Sequence, residues 1–166
     1  MAMTSRAPSH ATAEVVLRPV TDADREFLVR VYGASRDEEL SQVEWAPGQR
    51  EWFLQLQFDA QDREYRRANP DGRFDVIEVD GRPAGRLYVD RRPGDVRIVD
   101  IALLPEFRGR GVGAGLIAGL QAAASQEGRI VSIHVEVHNP AARLYERLGF
   151  VVAADLGVYR RMEWTP

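Results

Sequence analysis

The chain has 166 residues, 45% of them hydrophobic and 28% charged, so one domain with a real core is expected. A net charge of −3 argues against a generic nucleic-acid binder, and no run approaches the roughly 20 apolar residues of a membrane span. The absence of cysteine excludes disulfides and thiol nucleophiles, and three scattered histidines lack the ligand spacing of a metal site.

Residues 1–13 have no apolar centre and read as a flexible tail rather than a secretory signal, which makes the cytoplasm the expected location and leaves 14–166 as a single domain. Residues 14–18 (EVVLR) form a short predicted strand closed by Pro19. Thr21 suits an N-cap with Asp22 and Asp24 in the first turn, and Phe27, Leu28, Val31 and Tyr32 follow at helical spacing up to Gly33. Residues 35–46 look irregular and carry Asp37, Glu38, Glu39 and Glu44. Pro47 suits the start of a second helix, which runs through Trp52, Phe53, Leu56, Phe58 and Tyr65 and ends before Asn69-Pro70. Strands at 73–79 and 82–89 flank Asp80-Gly81, a strong hairpin signal. Arg92-Pro93-Gly94-Asp95 then turns into a strand with Val96, Ile98, Ile101 and Leu103, stopped by Pro105.

After that strand, Arg108-Gly109-Arg110-Gly111-Val112-Gly113 leads into an apolar helix that Glu127-Gly128 ends. Residues 129–137 alternate as a strand, Asn139-Pro140 opens a last helix with Ala141, Leu144, Tyr145 and Leu148 inward, and 150–153 pairs with 158–164. The order β-α-α-β-β-β-α-β-α-β-β implies an α/β sheet of mixed direction with helices on its faces, without internal repeat or domain boundary.

The glycine-arginine turn is the most informative stretch. Glycines let phosphates lie against bare backbone, the helix start offers unpaired N–H groups and the positive end of the dipole, and Arg108 and Arg110 add forked cationic donors. A dinucleotide fingerprint fits Gly109, Gly111 and Ala114 loosely, but a hairpin precedes it and five residues separate Leu103 from Gly109. A P-loop lacks its Gly-Lys-Ser/Thr, and a purely structural turn is the bland alternative.

The order of elements and two motifs resemble the GNAT superfamily of acetyl-CoA-dependent N-acetyltransferases. One motif is Arg108-x-x-Gly111-x-Gly113 after the strand ending Ile101-Ala102-Leu103; the other runs from Asn139-Pro140 through Leu144-Tyr145-Glu146 to Gly149-Phe150. The resemblance covers about residues 14–165. It implies a mixed, mostly antiparallel twisted sheet of about seven strands flanked by about four helices. It further implies acetyl transfer from acetyl-CoA to a primary amine by direct attack in a ternary complex, with a small-molecule or peptide amine as partner and a homodimer possible. A non-catalytic acyl-CoA-binding module of the same fold is the alternative.

By the same resemblance, Arg108, Gly109, Arg110, Gly111, Val112, Gly113 and Ala114 hold the pyrophosphate, and Ile101, Ala102 and Leu103 pair with the pantetheine arm. The Ile101 amide faces the acetyl carbonyl, Asn139 touches the arm, and Tyr145 protonates the leaving sulfur, although its helical spacing equally suits a core residue. The departures are Arg97 where some members keep a glutamate base, and a six-residue step from Asn139 to Tyr145 where seven is commoner. His134 falls where ribosomal-protein N-terminal acetyltransferases keep a glutamate, so His134 or Glu136, on one strand face, is the expected base. Glu38 in the acidic loop, and Phe58, Gln61 and Tyr65 on one face of the second helix, are the expected acceptor contacts; a solvated surface and an ordinary amphipathic helix are the bland readings.

Overall fold

Alternating apolar residues on seven strands need cover on both faces, and the helices supply it. The computed structural model describes residues 12–166; most of the tail expected at 1–13 lies outside them. The strands are β1 (Val15–Pro19), β2 (Arg73–Val79), β3 (Arg82–Arg92), β4 (Asp95–Leu103), β5 (Ile130–Glu136), β6 (Val151–Asp155) and β7 (Tyr159–Trp164). They form one sheet in the order β1-β2-β3-β4-β5-β7-β6, antiparallel throughout except for the parallel pair β4 and β5. The β2–β3 hairpin turns on Asp80 and Gly81 at φ 50° and 77°, the positive pair that an Asp-Gly turn provides.

The helices are α1 (Arg25–Ser35), α2 (Asp37–Leu40), α3 (Gln49–Ala68), α4 (Val112–Gln126) and α5 (Ala142–Arg147). Four helices were expected; α2 is the addition, formed in the stretch read as irregular. Its first turn carries Asp37, Glu38 and Glu39, where negative charge meets the positive end of the dipole, and Leu40 drops into the core. One core lies under α4 and α5 (Val96, Ile98, Ile117, Val131, Ile133, Tyr145), the other under α1, α2 and α3 (Leu28, Val31, Leu54, Phe58, Val76).

Strand β4 belongs to both. Val89 opposes Ile98 and Tyr88 opposes Asp100, so Val99 is an extra residue, a bulge that reverses which face each later residue takes. Before it Val96 and Ile98 point toward α4; after it Ile101 and Leu103 do. On β3, Gly85 lies opposite Leu103, and a Cβ there would collide with the Ala102 carbonyl oxygen and lie 3.0 Å from the Leu103 Cα. Backbone cannot yield as a side-chain tip can, so Gly85→Ala is expected to cost about 1–3 kcal/mol. Denaturant unfolding checks this: the midpoint falls at unchanged slope, whereas an unmoved midpoint shows that β3 and β4 can separate without penalty.

Candidate active site

Strands β4 and β5 share a ladder only from Asp95 opposite Ile130 to Ile98 opposite Ile133. Beyond that they part. β4 stays paired with β3 up to Leu103, while its other edge meets no strand, leaving backbone groups of residues 99–103 without ladder partners on that side. A cavity of about 910 Å³ opens there. Its walls are Ile101, Ala102 and Leu103 of β4, the turn and α4 start (Arg108, Gly109, Gly111, Val112, Gly113, Ala114), Asn139, Ala141, Leu144 and Tyr145 around α5, and Ser35, Asp37 and Glu38 from the α1–α2 corner.

The turn is shaped by two left-handed residues, Gly109 at φ 71° and Gly111 at φ 80°. The first helical bond of α4 is Gly115 N–H to the Gly111 carbonyl at 2.9 Å, so the amides of Val112, Gly113 and Ala114 have no helical acceptor. A Cβ at Gly109, Gly111 or Gly113 would meet no atom within 4 Å, which makes this wall bare backbone facing open space. The two arginines of the turn are placed differently from one another. Arg108 lines the cavity, but its Nε donates to the Leu103 carbonyl at 2.9 Å, so that carbonyl is already engaged. Arg110 is not among the lining residues; its guanidinium lies over the Phe107 ring, 5.7 Å from the centre.

Tyr145 is 5% exposed and packs edge-on against Phe150 at 5.8 Å. Burial, with a smaller push from the Asp100 charge, raises its hydroxyl to about 12, so it stays protonated at any working pH. Asn139 remains at the cavity despite the shortened spacing, its Oδ1 accepting the Ala141 N–H at 2.9 Å as α5 begins.

His134 and Glu136 are not on that wall. They lie on the other face of the opening, toward α1 and α3. His134 Nε2 is 3.2 Å from Arg97 Nη1, and partial burial followed by Arg97, Arg161 and Arg92 lowers its pKa below the usual 6.5. Glu136 sits 3.5 Å from Arg36, an ion pair that ties the α1–α2 corner to β5. Of the expected acceptor contacts, Glu38 lines the cavity and Phe58 does not: at 4% exposure Phe58 is a core residue, edge-on to Tyr32 at 6.5 Å. The i, i+3, i+7 spacing that suggested a pocket wall is the spacing of any buried helical stripe. Gln61 accepts from Arg86 Nη2 at 2.9 Å, and the Tyr65 hydroxyl donates to Asp100 at 3.1 Å.

Asp100 is the residue that sequence reasoning passed over. It follows the bulge, pairs with buried Arg86 and keeps a partly exposed carboxylate beside the opening. The signal was present: the apolar positions of β4 change from even (Val96, Ile98) to odd numbers (Ile101, Leu103), which is how a bulge appears in a sequence.

Residues 37–150 match the family model described as the acetyltransferase (GNAT) family. The chain belongs to the GNAT acetyltransferase family. It is 35% identical over 83 residues to a Bacillus subtilis protein provisionally named a ribosomal protein bS18-alanine N-acetyltransferase (49% of this chain, 55% of that one). It is also 39% identical over 72 residues to the mycothiol acetyltransferase of Corynebacterium aurimucosum (42% and 23%). The matches thus span about half or less of those relatives' own lengths. The fold is similar to the crystal structure of the PaiA N-acetyltransferase of Thermoplasma acidophilum in complex with coenzyme A (TM-score 0.69, 17% identity, 92% of this chain and 99% of that one). GNAT enzymes take their acyl group from acetyl-CoA. The site fits that donor: unpartnered amides and a helix dipole suit a pyrophosphate, and the unpaired β4 edge suits an amide-bearing arm.

Proposed function

We propose that this chain transfers an acetyl group from acetyl-CoA to a primary amine by direct attack, with both bound at once. The observation that carries this reading is the convergence in one cavity of the α4 amides, the unpaired edge of β4 and the protonated Tyr145 hydroxyl. When bound, acetyl-CoA supplies an acetyl thioester with a thiol as leaving group. The amides of Val112, Gly113 and Ala114 hold the pyrophosphate, and the Ile101 N–H stabilises the negative charge that develops on the acetyl oxygen during attack.

His134 takes the proton that the attacking nitrogen loses as the C–N bond forms. Tyr145 gives its proton to the sulfur as the C–S bond breaks. Of the two candidate bases His134 is preferred, because its lowered pKa leaves a neutral imidazole at pH 7, whereas Glu136 is held in an ion pair with Arg36; the Nε2 lone pair, which faces Arg97 Nη1 at 3.2 Å, takes the proton once the guanidinium turns away from it. Asp37 and Glu38 at the mouth attract a cationic acceptor.

The test is thiol release from acetyl-CoA with a panel of amines, beside calorimetry with coenzyme A. Turnover with one class of amine is expected; coenzyme A binding without turnover of any amine would favour the acyl-CoA-binding module instead. The pH profile is part of the expectation. The active imidazole is lost by protonation as pH falls through a pKa below 6.5, so kcat/KM holds level down to that point and then drops. That acid limb disappears in His134→Gln; a limb unchanged in the variant removes His134 as the base.

A further inference from the structure

Two arginines are buried among the described residues, and only one of them has a counter-charge. Arg86 faces Asp100. Arg97 is 9% exposed, on β4 just before the bulge, and makes its contacts with uncharged groups: Nε donates to the Ser132 hydroxyl at 2.9 Å, and Nη1 meets His134 at 3.2 Å. Among the described residues no carboxylate lies within 4.0 Å of its guanidinium. Of the acidic groups that act on it from farther off, Asp95 accepts from the Ser132 hydroxyl at 2.7 Å and pairs with Arg161 at 3.3 Å, and Glu163 also pairs with Arg161. Arg92 and Arg161 press further positive charge on the site, and burial together with Arg161 lowers the pKa of Arg97. A cation held this way is short of an anion.

Asp100 stands on the same face of β4. Because Val99 is the bulged residue, Arg97 and Asp100 are neighbours on that face as residues two apart would be, roughly 6–7 Å along the strand. Asp100 is 17% exposed and fixed by the Tyr65 hydroxyl and Arg86, and the next residue, Ile101, begins the unpaired edge. His134 follows Ile133, the last β5 residue paired with β4, and lies against Arg97, so it stands at the point where the two strands part.

We propose that the acceptor is a zwitterion, an amine that also carries a carboxylate or phosphonate oxyanion, with its nitrogen on Asp100 and its anionic group on Arg97. This rests on the acetyltransferase reading above and names the substrate class of that site. The ammonium docks on Asp100, and one of its protons passes to His134 to free the lone pair that forms the C–N bond; as the C–S bond breaks, Tyr145 gives its proton to the departing sulfur and is reprotonated by the second proton that the nitrogen loses in becoming an amide. The oxyanion supplies the negative charge that Arg97 lacks. A polyamine would instead set a second cation against Arg97, Arg92 and Arg161, and is disfavoured.

The experiment compares matched acceptors on the full chain: β-alanine and aminomethylphosphonate against propylamine and putrescine, with coenzyme A affinity measured by calorimetry and folding by thermal unfolding. The zwitterions are expected to be preferred by at least about tenfold in kcat/KM. In Arg97→Gln the KM for the preferred zwitterion rises about tenfold and the preference over the plain amine collapses toward one. Coenzyme A affinity is retained, and Arg97→Lys restores part of the preference. Equal or better use of the plain amines overturns the proposal, as does an equal effect of Arg97→Gln on both kinds, and the acetyltransferase reading survives either result. Coenzyme A binding with no turnover of either zwitterion also overturns it. Failure of the unaltered chain to bind coenzyme A overturns the acetyltransferase reading itself.

Discussion

Tyr145→Phe is expected to lower kcat by about two to four orders of magnitude, with little change in coenzyme A affinity. Phenylalanine keeps the edge-on contact with Phe150 and the packing under α4 and α5, so the substitution removes one hydroxyl and nothing else. That hydroxyl has no hydrogen-bond partner among the described residues, so its loss leaves no buried group stranded and stability holds. On the proposed mechanism, what disappears is a proton at the place where a sulfur anion leaves. Because the interaction is made as the C–S bond breaks, kcat and kcat/KM fall together while KM is steady. Steady-state thiol release measures both. A change in kcat below about threefold would make Tyr145 a packing residue, the other reading that its helical spacing always allowed.

Asp100→Ala is expected to destabilise the fold by about 3–5 kcal/mol, because it leaves Arg86 charged and unpaired in the interior. Arg86 is 2% exposed and its Nε already lacks a partner, so no solvent is available to replace the lost carboxylate. The Tyr65 hydroxyl, whose pKa is pushed upward by burial and then by Asp100, loses its acceptor in the same step. Thermal unfolding reads this as a fall in Tm on the order of 10 °C. The cycle partner is Arg86→Met. Removing both charges is expected to recover most of the loss, since a pair of buried ions replaced together costs far less than one ion stranded. Additive losses in the double variant would show that Asp100 supports the fold by some route other than Arg86.

The glycine turn and helix start proposed to hold the donor were readable in the sequence because they are backbone features. Glycines at 109 and 111 announce left-handed turns, an apolar helix after them announces free amides, and Pro105 announces the end of the strand. These signals survive whatever the side chains do. The proposed acceptor side is built from side chains whose meaning depends on which face of which strand they take. Phe58 and Tyr65 share a helical stripe, yet one fills the core and the other reaches Asp100, and spacing alone does not separate them. The acidic run at Asp37 was legible as charge but not as helix, since a four-residue turn leaves too few apolar positions to show a period. Arg97 could be aligned as a missing base; its lack of a counter-charge is a fact of three dimensions, fixed by Ser132 and His134 on a neighbouring strand.

The bulge at Val99 makes β4 two strands in one. Up to Ile98, β4 is locked to β5 by a shared ladder; past Val99 its alternation restarts, so the arm keeps its orientation without reference to what precedes it. A substitution at Arg97 can therefore alter the chemistry of one half of the strand without shifting the register of Ile101 or Leu103 in the other. One inserted residue divides the strand into two stretches of independent register, so side chains before it can be exchanged without re-aiming those after it.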